Sequence, residues 1–220
     1  MTRWAPLTGV VFVALWVAAF VLLAGGPESP GDAEIVAHYA DEANRGQDVT
    51  AFFLDVAATL VFIGFLTILY SRLSQAQSGA SSLTTLAFGA GITAAALWLV
   101  AGIFWMAISY TASETEEFRV DPDTERLVSE MAYLFFVTGM YASILVVFGA
   151  SLLALRTGAL PNWLGWLGLL VAVSLLGALG VFPFFIFLGW VLLVSIVCIV
   201  RPQDGAAAGV RDAGAEVRSA

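Results

Sequence analysis

The stretch from Leu83 to Ile108, LTTLAFGAGITAAALWLVAGIFWMAI, contains no charged residue. A helix needs about 20 apolar residues to cross a hydrocarbon core, and this run exceeds that length. It sets the class of the whole chain, because further runs of the same kind lie on both sides of it. Apolar stretches span Trp4 to Ala24, Val49 to Tyr70, Met131 to Leu155, Trp163 to Val181 and Phe184 to Val200. Over the 220 residues 60% are hydrophobic and 12% charged, against roughly 25% charged in soluble proteins. The expected fold is therefore all-α, an integral membrane bundle of six transmembrane helices over residues 1–200. The first stretch is too long for a signal h-region of about 7 to 15 residues and reads as a retained anchor.

Composition removes several chemistries. There is no lysine, so a Schiff base to a carbonyl cofactor is excluded. The single cysteine, Cys198, can form neither an internal disulfide nor a CxxC pair. A net charge of −8 argues against nucleic acid, whose binding rests on basic residues neutralising phosphates. One histidine, outside the spans, cannot supply two axial haem ligands or the base of an intramembrane hydrolase. No cofactor is implied.

With the N-terminus in the cytoplasm, Arg3, Arg72, Arg156, Arg201, Arg211 and Arg218 fall inside and Arg45, Arg119 and Arg126 outside, as the positive-inside rule requires. Both termini are then cytoplasmic, in a bacterial inner membrane. Of the acidic residues, 13 of 17 lie in the two outer segments, Gly26 to Asp48 and Ser109 to Glu130. The tail, residues 201–220, is poor in apolar residues and is expected to be disordered.

The outer segment DAEIVAHYADEANR, Asp32 to Arg45, places Ile35, Val36, Tyr39 and Ala43 on one side of a helical wheel and Glu34, His38, Asp41, Glu42 and Arg45 on the other. That pattern predicts a short amphipathic helix on the outer membrane surface, with Asp32 capping its start and Gly46 its end. In the second outer segment Asp121-Pro122-Asp123 is a helix-start signal.

LPNWLGWLGLL, Leu160 to Leu170, writes Trp-Leu-Gly twice. On a helix Trp163 and Trp166 share one face, while Gly165, Gly168 and Ala172 form a small-residue seam on nearly the opposite one. The tryptophans suit an interfacial anchor, and the seam suits close packing of another helix. An aromatic ligand cage is the rarer alternative. Ala87, Gly91 and Ala95, and Gly139 with Ser143, make similar seams. The following GVFPFF, Gly180 to Phe185, predicts a tight return at Pro183.

These features together, six spans, an acidic helix after the first, LPNWLGWLGLL, then PFF and FLGWVLLVS, resemble the uncharacterised six-helix bacterial membrane proteins of domain-of-unknown-function family 4386 over most of Met1 to Val200. The resemblance implies fold and location and supplies no catalytic or binding residue.

Two constellations carry candidate chemistry. Asp55 is a carboxylate inside a span, a functional candidate by default. With Ala51, Ala58 and Thr59 on its face it is expected to look into the bundle, as a proton or cation site joined by Glu130, Tyr110 and Ser109. The commoner arrangement is a structural carboxylate near the outer interface, paired with Arg119, Arg126 or a tyrosine hydroxyl. Glu34, His38 and Glu42, at four-residue spacing, could hold a divalent metal or sense pH, although a solvated charged face is the commoner explanation.

Two functional classes stay open. One is a non-enzymatic protein that binds or moves a small solute, proton or lipid around Asp55. The other is an accessory or assembly subunit in the bilayer, engaging a membrane partner or a second copy through its Gly seams and acidic outer surface, with its polar residues only holding the bundle together. An enzyme ranks below both, since no nucleophile, base and metal set assembles.

Overall fold

A computed structural model describes residues 7–23, 31–76, 81–177, 180 and 182–200. The expected beginning of the first span at Trp4 and the tail after Val200 lie outside them. The described chain is all helical: α1 (Leu7–Leu23), α2 (Asp32–Ala40), α3 (Glu42–Ala76), α4 (Ser82–Glu114), α5 (Pro122–Thr157), α6 (Asn162–Ser174), continued by a 3-10 turn at Leu175–Gly177, and α7 (Phe182–Val200).

Among the described residues, four helices, α3, α4, α5 and α7, are long and apolar enough to cross a membrane, which marks the chain as a membrane protein. The expectation of six such helices is not met at that length. Leu7–Leu23 and Asn162–Gly177 are apolar but shorter. The 17 residues of α1 extend about 26 Å at 1.5 Å per residue, just under a hydrocarbon core of about 30 Å.

The helices close into a ring. In order, α1 packs on α3, α3 on α4, α4 on α5, α5 on α6, α6 on α7, and α7 back on α1. Aromatic side chains fill its centre: Phe12 stacks on Phe62 at 4.8 Å, and Phe184 meets Trp16 at 4.9 Å, Phe136 at 5.0 Å and Trp98 at 5.5 Å between ring centroids. Edge-to-face pairs of this kind add to the burial of large apolar area, so α1, α3, α4, α5 and α7 are pinned to one cluster.

The element boundaries have local causes. Asp121 Oδ2 accepts from Thr124 N–H at 3.0 Å, with Pro122 at the first helical position of α5. Gly158 ends α5 in the left-handed region, φ 69°, where a Cβ would be strained. Asp41 decides the shape of the acidic segment. Its extended backbone, ψ 121°, stops α2, while its Oδ1 accepts from Ala43 N–H at 2.9 Å and so caps α3.

The expected surface helix is thereby corrected in three respects. It is cut at Ala40 instead of running to Arg45. Its start is capped by Gly31, not Asp32, and Gly46 lies inside α3. It also leans on the bundle, touching α3, α4 and α5, with Ile35 buried and Val36 exposed. An Asx cap at Asp41 competes with helix continuation, and the apolar side of α2 finds protein to bury against.

Candidate functional site

α2 lies across one end of the ring, over a cavity of about 590 Å³. Its aromatic wall comes from Trp16 and Phe20 of α1, Phe52 of α3, Trp105 of α4 and Phe185 of α7. His38 and Tyr39 of α2, Asp48 of α3 and Ser129 of α5 supply polar groups, and Ala51, Asp55, Gly102 and Met106 line it between α3 and α4. Among the described residues, the lining contains two carboxylates and no arginine.

Asp48, Ala51, Phe52 and Asp55 reach the cavity because they recur at three- and four-residue intervals on α3, one helical face. Asp55 is 6% exposed. It stands 13 positions after Glu42, where α3 begins, or about 20 Å along the axis, so it lies deeper from the helix end than a start at Val49 implied. Thr59, itself buried, donates to Asp55 Oδ1 over a long 3.4 Å. Oδ2 is buried and has no hydrogen-bond partner among the described residues. Space for that oxygen exists because residue 102 is glycine: a Cβ there would stand 2.5 Å from Asp55 Oδ2. The indole N–H of Trp16 is likewise buried without a partner.

The polar groups near α2 are satisfied by one another. His38 Nε2–H donates to Asp48 Oδ2 at 3.0 Å, and the Ser109 hydroxyl donates to the same oxygen. The hydroxyls of Tyr39, at 3.4 Å, and Ser129, at 2.8 Å, both donate to Glu125 Oε1. Burial, then the charges of Glu125 and Asp48, push the Tyr39 phenol well above its ordinary value. Arg45 donates to the Tyr39 carbonyl at 2.7 Å and Arg126 to Asp32 Oδ1 at 2.5 Å, so α2 is also tied from outside.

The structure redistributes the residues singled out from sequence. Asp55 and Thr59 are together, but Glu130 and Tyr110 are exposed, and Ser129 lines the cavity in place of Glu130. One residue along a helix turns the side chain by about 100°. Arg126 is engaged by Asp32 and Asp123, and Arg119 is exposed, so the tertiary partners proposed for Asp55 are elsewhere. Glu34, His38 and Glu42 do not converge. Glu34 Oε2 accepts from Gly31 N–H at 2.9 Å, His38 turns to Asp48, and Glu42 opens the next helix. No group of three potential ligands for a metal forms among the described residues.

On α6 Gly165, Gly168 and Ala172 are buried, whereas Trp163 and Trp166 are 53% and 64% exposed. Gly165 faces Leu155 and Gly168 faces Ser151 and Trp190.

The family model for a domain of unknown function, DUF4386, matches residues 7–201. The chain belongs to this family. The match runs from the first residue of α1 past the last of α7, so the ring and its cavity lie wholly within the DUF4386 region. No curated protein and no solved structure matches the chain.

Sequence reasoning missed Trp16, Phe20, Tyr39, Asp48, Gly102, Trp105, Ser129 and Phe185 as cavity residues. One signal was present. Asp48 and Asp55 are seven residues apart with small and aromatic residues between, a polar-ended stripe on one face.

Proposed function

We propose that this chain is a non-enzymatic six-span protein of a bacterial cytoplasmic membrane that binds a small amphipathic solute in the cavity beneath α2. The observation that carries it is Asp55 Oδ2, an unpartnered oxygen at the wall of a cavity of about 590 Å³. Buried polar atoms are ordinarily hydrogen-bonded, and ligand pockets measure about 300–1,000 Å³ with apolar walls and a few convergent polar groups. A bound solute would supply the missing partner.

Six spans are supported by the ring itself, in which α1 and α6 each stand between longer helices, and both termini inside by six arginines against three. The cavity then opens toward the outer face, under the acidic segment. The alternative of an accessory subunit draws less support, because Gly165 and Gly168 are filled by Leu155, Ser151 and Trp190 of the same chain.

The test is thermal unfolding of the full chain in lipid nanodiscs with naphthylethylamine, naphthylethanol and naphthylacetate, which differ in charge. At least one of the three raises the midpoint of the wild type by binding the folded state, and none does so for Ala51→Trp, which fills the cavity. The proposal fails if none shifts the wild type, or if Ala51→Trp shifts equally.

A further inference from the structure

Resting on the binding site just proposed, we infer that its solute is a protonated amine on an aromatic or alkyl body, held by Asp55 as counter-ion.

The sign of the charge comes first. Among the described residues, the lining holds Asp48 and Asp55 and no arginine. Arg45 and Arg126 are not among the lining residues and are engaged, Arg45 with the Tyr39 carbonyl and Ser113, Arg126 with Asp32 and Asp123. An anionic ligand would face two carboxylates with no arginine among the described lining residues to offset them, whereas a cation is attracted by both.

The hydrogen-bond inventory separates the two acids. Asp48 Oδ2 already takes His38 and Ser109. Asp55 has only a long contact from Thr59 to one oxygen, and its other oxygen is bare. When Asp55 is ionised its oxygens can only accept, and the ligand atom meeting Oδ2 is then a donor. A hydroxyl or amide would satisfy the lone pair and leave a buried negative charge uncompensated. An ammonium N–H supplies donor and countercharge in one bond, the stronger charge-assisted kind. A quaternary ammonium has no N–H and meets only half of the requirement.

The walls complete the class. Trp16, Phe52, Trp105 and Phe185 line the same cavity as Asp55. Aromatic faces attract cations and bury apolar area at once. Asp55 is seven residues beyond Asp48 on α3, about 10 Å further from the α2 end at 1.5 Å per residue. The amine therefore enters first, and the body extends back toward Tyr39 and Ser129.

Equilibrium binding of the same naphthyl amine, alcohol and acid to the full chain in nanodiscs, with empty nanodiscs subtracted, tests the charge preference. At neutral pH the amine binds the wild type about tenfold or more tightly than the alcohol, and the acid binds weakest. Asp55→Asn removes the advantage of the amine and leaves alcohol binding in place. Equal binding of amine and alcohol to the wild type, or an advantage kept in Asp55→Asn, overturns the amine assignment while the cavity reading stands. Failure of all three to bind the wild type overturns both. Should Asp55→Asn not fold, Gly102→Ala, which crowds Oδ2, must reduce the preference for the amine; an unchanged preference overturns the assignment.

Discussion

Gly102 faces the carboxylate of Asp55: a Cβ there would lie 2.5 Å from Oδ2 and 3.3 Å from Phe52 Cδ2. The acid on α3 and the glycine on α4 are thus one steric unit. Gly102→Ala forces the carboxylate aside, an overpacking that costs about 1–3 kcal/mol, offset in part by roughly 1 kcal/mol of helix propensity. The net expectation is destabilisation by about 1 kcal/mol, read from denaturation of the purified chain. In an Asp55→Ala background the same change becomes neutral or stabilising, a coupling that a double-mutant cycle measures. Additive effects would show that the two residues do not touch.

Asp55→Asn keeps the shape of the side chain and removes the titratable carboxyl whose Oδ2 has no hydrogen-bond partner among the described residues. Residues kept for function in apolar sites are commonly held against stability. The variant is expected to unfold at a higher temperature than the wild type by the equivalent of about 0.5–2 kcal/mol, without added solute. A lower midpoint would make Asp55 a structural group.

Ser151 Oγ and Trp190 Nε1 close on Gly168. A methyl at that position overlaps both, so Gly168→Ala should destabilise by about 1–3 kcal/mol through separation of α6 from α5 and α7. Ser151→Gly in the same chain should recover most of that loss. If Gly168→Ala alone is silent in a thermal scan, the seam is looser than this geometry.

Tyr39 titrates above its ordinary value of 10.0 because burial and the acids Glu125 and Asp48 disfavour the phenolate. In the unfolded chain the phenol ionises near 10. Above that pH the unfolded state has released a proton the folded state retains, so stability falls as pH rises through about 10 and beyond. Tyr39→Phe should flatten this alkaline slope. Unfolding midpoints between neutral pH and about pH 11 decide the matter, and identical slopes would show that Tyr39 ionises as freely folded as unfolded.

Asp41 is the joint between α2 and α3, and its Oδ1 caps the second of them. Asp41→Ala should cost about 0.5–2 kcal/mol, the usual loss of a cap, and loosen α2 first. Faster amide exchange from Asp32 to Ala40, with exchange in the aromatic centre unchanged, is the expected pattern. Uniform acceleration throughout would mean that α2 has no independent stability.

Much of the fold was legible because bilayer and backbone impose local rules. Uncharged runs such as Leu83 to Ile108 must be helices, since backbone polar groups have no partner in hydrocarbon. Asp121-Pro122 announced the start of α5, and Asp55 stood out as an acid within an apolar run. The break at Asp41 was less legible, since an aspartate on the polar side of an amphipathic wheel reads equally as a helix residue and as a cap.

The chain order of charges, apolar runs and turn residues was enough to establish helical class, membrane residence, the boundary at Asp121 and the choice of Asp55, because each depends on neighbours within a turn or two. The partners of those residues came only with the ring. Gly102 against Asp55, Ser109 and His38 on the same oxygen of Asp48, Ser129 instead of Glu130, and Phe185 in one cavity wall with Trp16 are brought together from six helices. No periodicity within one helix encodes which face its neighbour will meet. Packing of the aromatic centre sets the rotation and depth of each helix, and that rotation decides which side chains enclose the cavity.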